Sequence, residues 1–139
     1  MSRINFGRVI LGGIIAGIVL NIGEFILNEV LFKKNIEDLS ARLHIQTPGA
    51  NFIAIATALT ILLGVALIFI YALVRPRTGP GPKTAILTAL IGWFCIYVYA
   101  GLLNGVIFSV SPGLLLIGIV WGFVEYSLAT LAGAWLYRE

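Results

Sequence analysis

The stretch Gly12-Gly13-Ile14-Ile15-Ala16-Gly17-Ile18-Val19-Leu20-Asn21-Ile22-Gly23-Glu24-Phe25-Ile26-Leu27-Asn28 decides the fold of this chain. It is apolar for longer than a core helix of a water-soluble domain needs to be, yet Gly13, Gly17, Asn21, Glu24 and Asn28 recur at steps of four, four, three and four. At about 100° per residue these five positions form one stripe roughly 80° wide. The segment reads as a membrane-spanning helix with a small and polar seam on one face, Glu24 having a carboxamide one turn away on either side.

The rest of the chain agrees with a membrane setting. Of 139 residues 60% are hydrophobic and 11% charged, against roughly 25% charged in an ordinary soluble domain. Mean hydropathy is +1.04. Four apolar runs, residues 6–32, 48–74, 82–108 and 112–137, are each long enough to cross a hydrocarbon layer about 30 Å thick. The expectation is an all-α, single-domain bundle of four transmembrane helices. Thr47-Pro48, Gly81-Pro82 and Ser111-Pro112 each read as a cap followed by proline at the first helical position. Pro76 and the turn chemistry of residues 77–81 should end the second span near Arg75. The first run extends past the usual length of a cleaved signal and meets Asn21, Glu24 and Asn28 where small residues would be needed, so it reads as a retained helix.

Charge orients the bundle. Arg3, Arg8, Arg75, Arg77, Lys83 and Arg138 fall on one side, against Lys33, Lys34 and Arg42 on the other. The positive-inside rule then puts both termini in the cytoplasm, with Tyr71, Trp135 and Tyr137 near that interface. The net charge of +3 sits beside apolar runs, which points to lipid headgroups and not to nucleic acid. Between residues 33 and 46, Asn35 is placed to cap a short interfacial helix carrying Ile36, Leu39 and Leu43 on one stripe.

Candidate chemistry is sparse. One cysteine, Cys95, leaves no intramolecular disulfide or multi-thiolate metal site; one histidine, His44, and one methionine, Met1, cannot supply paired haem ligands from a single copy. No cofactor is expected. His44 reads as a surface imidazole, and Ser127 and Thr130 near Glu125 lack a histidine base, so no enzyme is expected. The fourth span repeats the idea: Gly118, Gly122, Glu125, Ala129 and Ala132/Gly133 form a second stripe with a carboxyl group in it. Gly17-Ile18-Val19 precedes Glu24-Phe25 at the same separation by which Gly118-Ile119-Val120 precedes Glu125-Tyr126. Counted by helical rise from the outer ends of their helices, Glu24 lies roughly 12 Å and Glu125 roughly 18 Å deep. An isolated carboxylate there costs about 3 kcal/mol on insertion scales, so both should face the interior and be partnered. Asn21, Asn28 and Asn104, the last on a stripe with Tyr97, Gly101 and Gly105, are the expected hydrogen-bonding neighbours. Gly13/Gly17, Gly101/Gly105 and Gly118/Gly122 are expected at close helix contacts, because lipid supplies no hydrophobic drive and small residues allow backbones to approach.

The first-span motif Gly12-Gly13-x3-Gly17-x3-Asn21-x2-Glu24-Phe25-x2-Asn28, followed by an amphipathic connection and three further spans, resembles a group of small bacterial four-helix integral membrane proteins of unknown function. The resemblance implies the fold and a bacterial inner membrane, and no activity. The small multidrug-resistance transporters share four spans and a first-helix glutamate, but the aromatic residues ahead of that glutamate are missing here, so that likeness is architectural. Two function classes are compatible with these features: a non-catalytic bundle that associates with itself or with other membrane subunits, and a small carrier coupled to protons or cations through Glu24 and Glu125. A dry, packed seam favours the first; a water-accessible chamber around both carboxyls favours the second.

Overall fold

The structure, a computed structural model, describes residues 3–137; Met1 and Arg138 lie outside them. It is an all-α bundle. Four helices are long and apolar enough to cross a membrane: α1 (Phe6–Leu31), α3 (Ala50–Thr78), α4 (Pro82–Ile107) and α5 (Pro112–Leu136). A shorter helix, α2 (Lys33–Leu43), joins the first two. The chain is an integral membrane protein. The start of α1, the end of α3, the start of α4 and the end of α5 share one face, here the terminal face, and α2 belongs to the opposite, distal face.

The helix ends show which local signals prevailed. Asn5 caps α1, its side chain accepting from Arg8 N at 3.1 Å. Ser111 caps α5 through Leu114 N at 3.4 Å, and Pro82 and Pro112 open their helices as expected. Pro48 does not: α3 begins at Ala50 with Gly49 as its cap. Glycine is itself an acceptable cap, and Gly49 O already receives Ile53 N, so the helix starts two residues late without loss. Pro76 does not stop α3 either. A proline so close to the end removes a single ladder bond, and Gly79 N donates to Arg75 O at 2.8 Å to close the last turn. The turn itself needs glycine, since Gly79 and Gly81 have φ of 84° and 126°. Asn35 is not a cap; it lies inside α2, which follows α1 directly through Phe32. That helix ends at His44, which is exposed and left-handed, with Ile45 N bonded to Ser40 O.

The bundle runs α1, α3, α4, α5 around a square, with α1 packed most extensively on α3 and then on α5, and α4 on α5 and α3. Glycines set these distances. A methyl on Gly13 would overlap Val65, one on Gly17 would lie 2.6 Å from Ile61 Cα, and one on Gly64 would overlap the α1 backbone between Gly13 and Gly17. Gly12 and Gly133, the latter on the fourth-span stripe, face each other across α1 and α5 so closely that either methyl would meet the other's carbonyl oxygen. The core lies toward the terminal face: Leu20, Leu67, Ile68, Ala85, Ala89, Tyr126 and Ala129 are buried. Tyr71 and Tyr137, near the terminal ends of their helices, belong to it, packed edge to face at 6.0 Å; of the expected aromatic anchors Trp135 is exposed, at 76%. Tyr71 is held in because its hydroxyl accepts from Gly81 N at 3.1 Å.

Two helices are interrupted. Residues Ile26–Leu31 of α1 and Phe94–Ala100 of α4 are π-helical, and Phe32 N reaches back five residues to Leu27 O. A π turn inserts an extra residue and rotates the rest of the helix by about 100°. Both expectations that fail in α4 lie beyond its π turn. Gly101 makes no close helix contact, a methyl there meeting only Ile96 O at 3.7 Å, and Asn104 is exposed, donating to Ala100 O of its own helix. Gly105 does pack, against Leu115, whereas Gly118 is buried but roomy, its nearest neighbour Phe32 being 3.8 Å from an added methyl.

Candidate functional site

The three membrane helices α1, α4 and α5 bring their acids and one tyrosine together. Tyr97 sits in the π turn of α4, and its hydroxyl lies 2.7 Å from Glu24 Oε1 on α1 and 3.0 Å from Glu125 Oε2 on α5. Asn28, in the π turn of α1, donates to Glu24 Oε2 at 3.0 Å and to Glu24 O at 2.8 Å. The result is a clasp, Asn28–Glu24–Tyr97–Glu125, in which each helix contributes a group that the other two need.

Missing side chains make the clasp possible. A methyl on Gly122, one turn before Glu125, would overlap the Tyr97 ring, so glycine there lets the ring cross to α5. A methyl on Gly23 would lie 2.5 Å from Glu125 Cγ and 2.6 Å from Cδ, so the carboxyl of α5 fills a notch in α1. Around it, Tyr97 meets Tyr126 edge to face at 5.7 Å, Trp121 Nε1 donates to Gly23 O at 3.2 Å, and Trp93 Nε1 donates to Ile119 O at 2.8 Å. Both indole bonds cross between helices and hold the frame of the site.

Of the expected site residues, Glu24, Glu125 and Asn28 meet. Asn21 does not join them: its carboxamide donates to Gly17 O at 3.0 Å and to Thr57 O at 3.3 Å, tying α1 to α3. It lies on the α3 edge of the roughly 80° seam, where the α3 backbone is within reach of its carboxamide. Asn104 is excluded by the π rotation. Glu29 is exposed and lies 3.9 Å from Lys33, an interfacial pair. Sequence reasoning did not assign Tyr97 its bridging role. The available signal was position: a tyrosine about 15 Å from the distal end of its helix is too deep for the headgroup level, and a buried hydroxyl must find a partner.

The hydrogen-bond inventory constrains protons. A tyrosine hydroxyl has one hydrogen and can donate to one carboxyl only. The second short contact is a hydrogen bond only if that carboxyl is the donor, so the clasp is fully bonded when Glu24 and Glu125 hold one proton between them. Burial is graded along it, from half-buried Asn28 and Glu24 to Glu125, which is 4% exposed. Glu125 Oε1, Ser127 Oγ and Thr130 Oγ1 are buried and meet no hydrogen-bond partner of good geometry among the described residues.

No protein-family model, curated protein or solved structure matches the chain. Its function must therefore be inferred from the geometry of the clasp and of the surfaces around it.

Proposed function

We propose that this chain is a non-catalytic membrane component, a four-helix bundle that associates with itself or docks as an accessory subunit on a larger membrane complex, with the clasp serving as its internal lock. The observation that carries this reading is that the two carboxyls meet inside packed helices: Glu125 fills the notch at Gly23, and the groove beside it is lined by apolar side chains. A further support is the distal half of α3, where residues 50–55 and 57–59 are exposed. That surface is available to lipid or to a neighbouring chain. The shared face of Arg3, Arg8, Arg75, Arg77 and Lys83, together with the family resemblance, supports a bacterial inner membrane with the terminal face in the cytoplasm.

The test is purification from native membranes in mild detergent. The expected result is a fixed stoichiometry, either several copies of this chain or one copy with a defined membrane partner. A monodisperse single chain with no companion overturns the reading.

A second reading, a proton- or cation-coupled carrier, is favoured by one observation, the contact of the Tyr97 hydroxyl with the carboxyls of both Glu24 and Glu125. It expects Glu24→Gln to abolish a pH-driven flux in reconstituted vesicles, whereas the lock reading expects that variant to change stability alone.

A further inference from the structure

The two ends of the bundle differ in charge. On the distal face Lys33, Lys34 and Arg42 stand against Glu29, Glu37 and Asp38, three charges of each sign, and Lys33 pairs with Glu29 at 3.9 Å. On the terminal face Arg3, Arg8, Arg75, Arg77 and Lys83 share their surface with no acid among the described residues. Arg75 is half-buried, its guanidinium 5.5 Å from the centre of the Tyr137 ring, whereas the other four are exposed.

Two of the exposed cations stand on a fixed backbone. Arg77 is in the last turn of α3 and Lys83 in the first turn of α4. The hairpin between them is braced from within: Gly79 N donates to Arg75 O at 2.8 Å, Thr84 Oγ1 to Gly79 O at 2.6 Å and Gly81 N to Tyr71 Oη at 3.1 Å, while the hydroxyls of Thr78 and Thr84 lie 2.7 Å apart. A ligand that engages both cations therefore has only their side chains to order. Gly81 gives α4 no side-chain cap, so the first-turn N–H groups of Lys83 and Thr84 add partial positive charge at the same place.

Below each cation the surface is apolar. Leu73 precedes Arg77 by four residues and Leu87 follows Lys83 by four, which puts each leucine on its cation's helix face and about 6 Å deeper in the membrane. They are 51% and 42% exposed, and Ile91, 43% exposed, continues the α4 stripe. A small soluble anion would use the cations and leave the leucines idle. The hairpin joins two membrane-spanning helices and so lies in the headgroup layer, where lipid phosphates are the abundant anions. We propose that the α3–α4 hairpin is a binding site for an anionic phospholipid, its phosphate taken by Arg77 and Lys83 and its first acyl carbons lying on Leu73 and Leu87. A zwitterionic lipid fits less well, because its ammonium lies against a surface with no acid to receive it. The site goes beyond the accessory role and does not depend on it, since one hairpin of one chain defines it.

The experiment titrates the whole protein in non-ionic detergent with phosphatidylglycerol and, separately, with phosphatidylcholine of the same acyl chains, counting bound lipid by native mass spectrometry. The first phosphatidylglycerol should bind about 5- to 30-fold more tightly than the first phosphatidylcholine, the effect of one to two cations at about fivefold each. Arg77→Gln/Lys83→Gln should remove that preference. Arg3→Gln/Arg8→Gln, which neutralises as much charge elsewhere on the face, should change it by less than about twofold, since exposed charges beyond a screening length contribute little. Should the hairpin variant fail to fold, a photoactivatable phosphatidylglycerol on the unaltered protein should cross-link within residues 70–91. Equal midpoints for the two lipids, equal losses in the two double variants, cross-links confined to α1, α5 or the distal face, or displacement of the bound lipid by glycerol 1-phosphate at the lipid's own concentration overturns the proposal.

Discussion

Replacing Gly17 by alanine tests how closely α1 and α3 are held. The added methyl would lie 2.6 Å from Ile61 Cα and 3.2 Å from Ile61 O, whereas carbon atoms in comfortable contact stand ~3.5–4.0 Å apart. Both obstacles are backbone, so no side-chain rotation relieves them, and the helices must separate by about 1 Å. A gap of that size forfeits roughly a quarter to a half of the attraction of each atom pair it opens. Overpacking of this kind costs about 1–3 kcal/mol, offset in part by the ~0.5–1 kcal/mol by which alanine is preferred to glycine inside a helix. The net expectation for Gly17→Ala is a loss of about 1–2 kcal/mol. Gly101→Ala is the control, because its methyl meets only Ile96 O of its own helix at 3.7 Å. It should be neutral or stabilising by up to about 1 kcal/mol. Reversible unfolding in mixed detergent micelles, followed by circular dichroism, measures both. Equal stability of the two variants would refute the claim that glycine contacts set the α1–α3 distance.

Two further outcomes are expected from the clasp and from the rotated face of α4. Tyr97→Phe should destabilise the bundle by about 1–3 kcal/mol, since two interhelical bonds at membrane depth are lost together. In a double-mutant cycle with Glu24→Gln its effect should be non-additive by at least about 0.5 kcal/mol, and additivity would argue against a shared network. Asn28→Leu should be destabilising by about 1 kcal/mol, while Asn104→Leu, on a lipid-facing surface, should leave unfolding in the same micelles unchanged within about 0.5 kcal/mol; a reversal of that order would return Asn104 to the site.

What could be read in the sequence was what depends on composition and on unbroken helical phase. The four spans, the prolines at 82 and 112, the Gly13/Gly17 contact and the inward turn of Glu24 and Glu125 needed only hydropathy, cap chemistry and 100° per residue. Asn104 and Gly101 were misplaced because the π turn at Phe94–Ala100 breaks that phase, and nothing in the run Phe94-Cys95-Ile96-Tyr97-Val98-Tyr99-Ala100 marks an extra residue in the turn. The partners of the glycines were equally hidden. Spacing shows that Gly122 lies on a stripe, but only the crossing of α4 over α5 shows that an aromatic ring uses the space. Asn21 failed for a different reason: a carboxamide a turn from Glu24 has a choice of acceptors, and the proximity of the α3 backbone, a tertiary fact, decided between them.

The notch at Gly23 links two movements that would otherwise be independent. Because the acid of α5 is seated in α1 like a pin in a socket, neither helix can slip along the other, even by the ~1.5 Å rise of one residue, until that pin is withdrawn. Withdrawal also parts Glu125 from the hydroxyl of Tyr97. Sliding of the pair and breaking of the Tyr97–Glu125 bridge are therefore the same event, and whatever loosens one will be felt in the other.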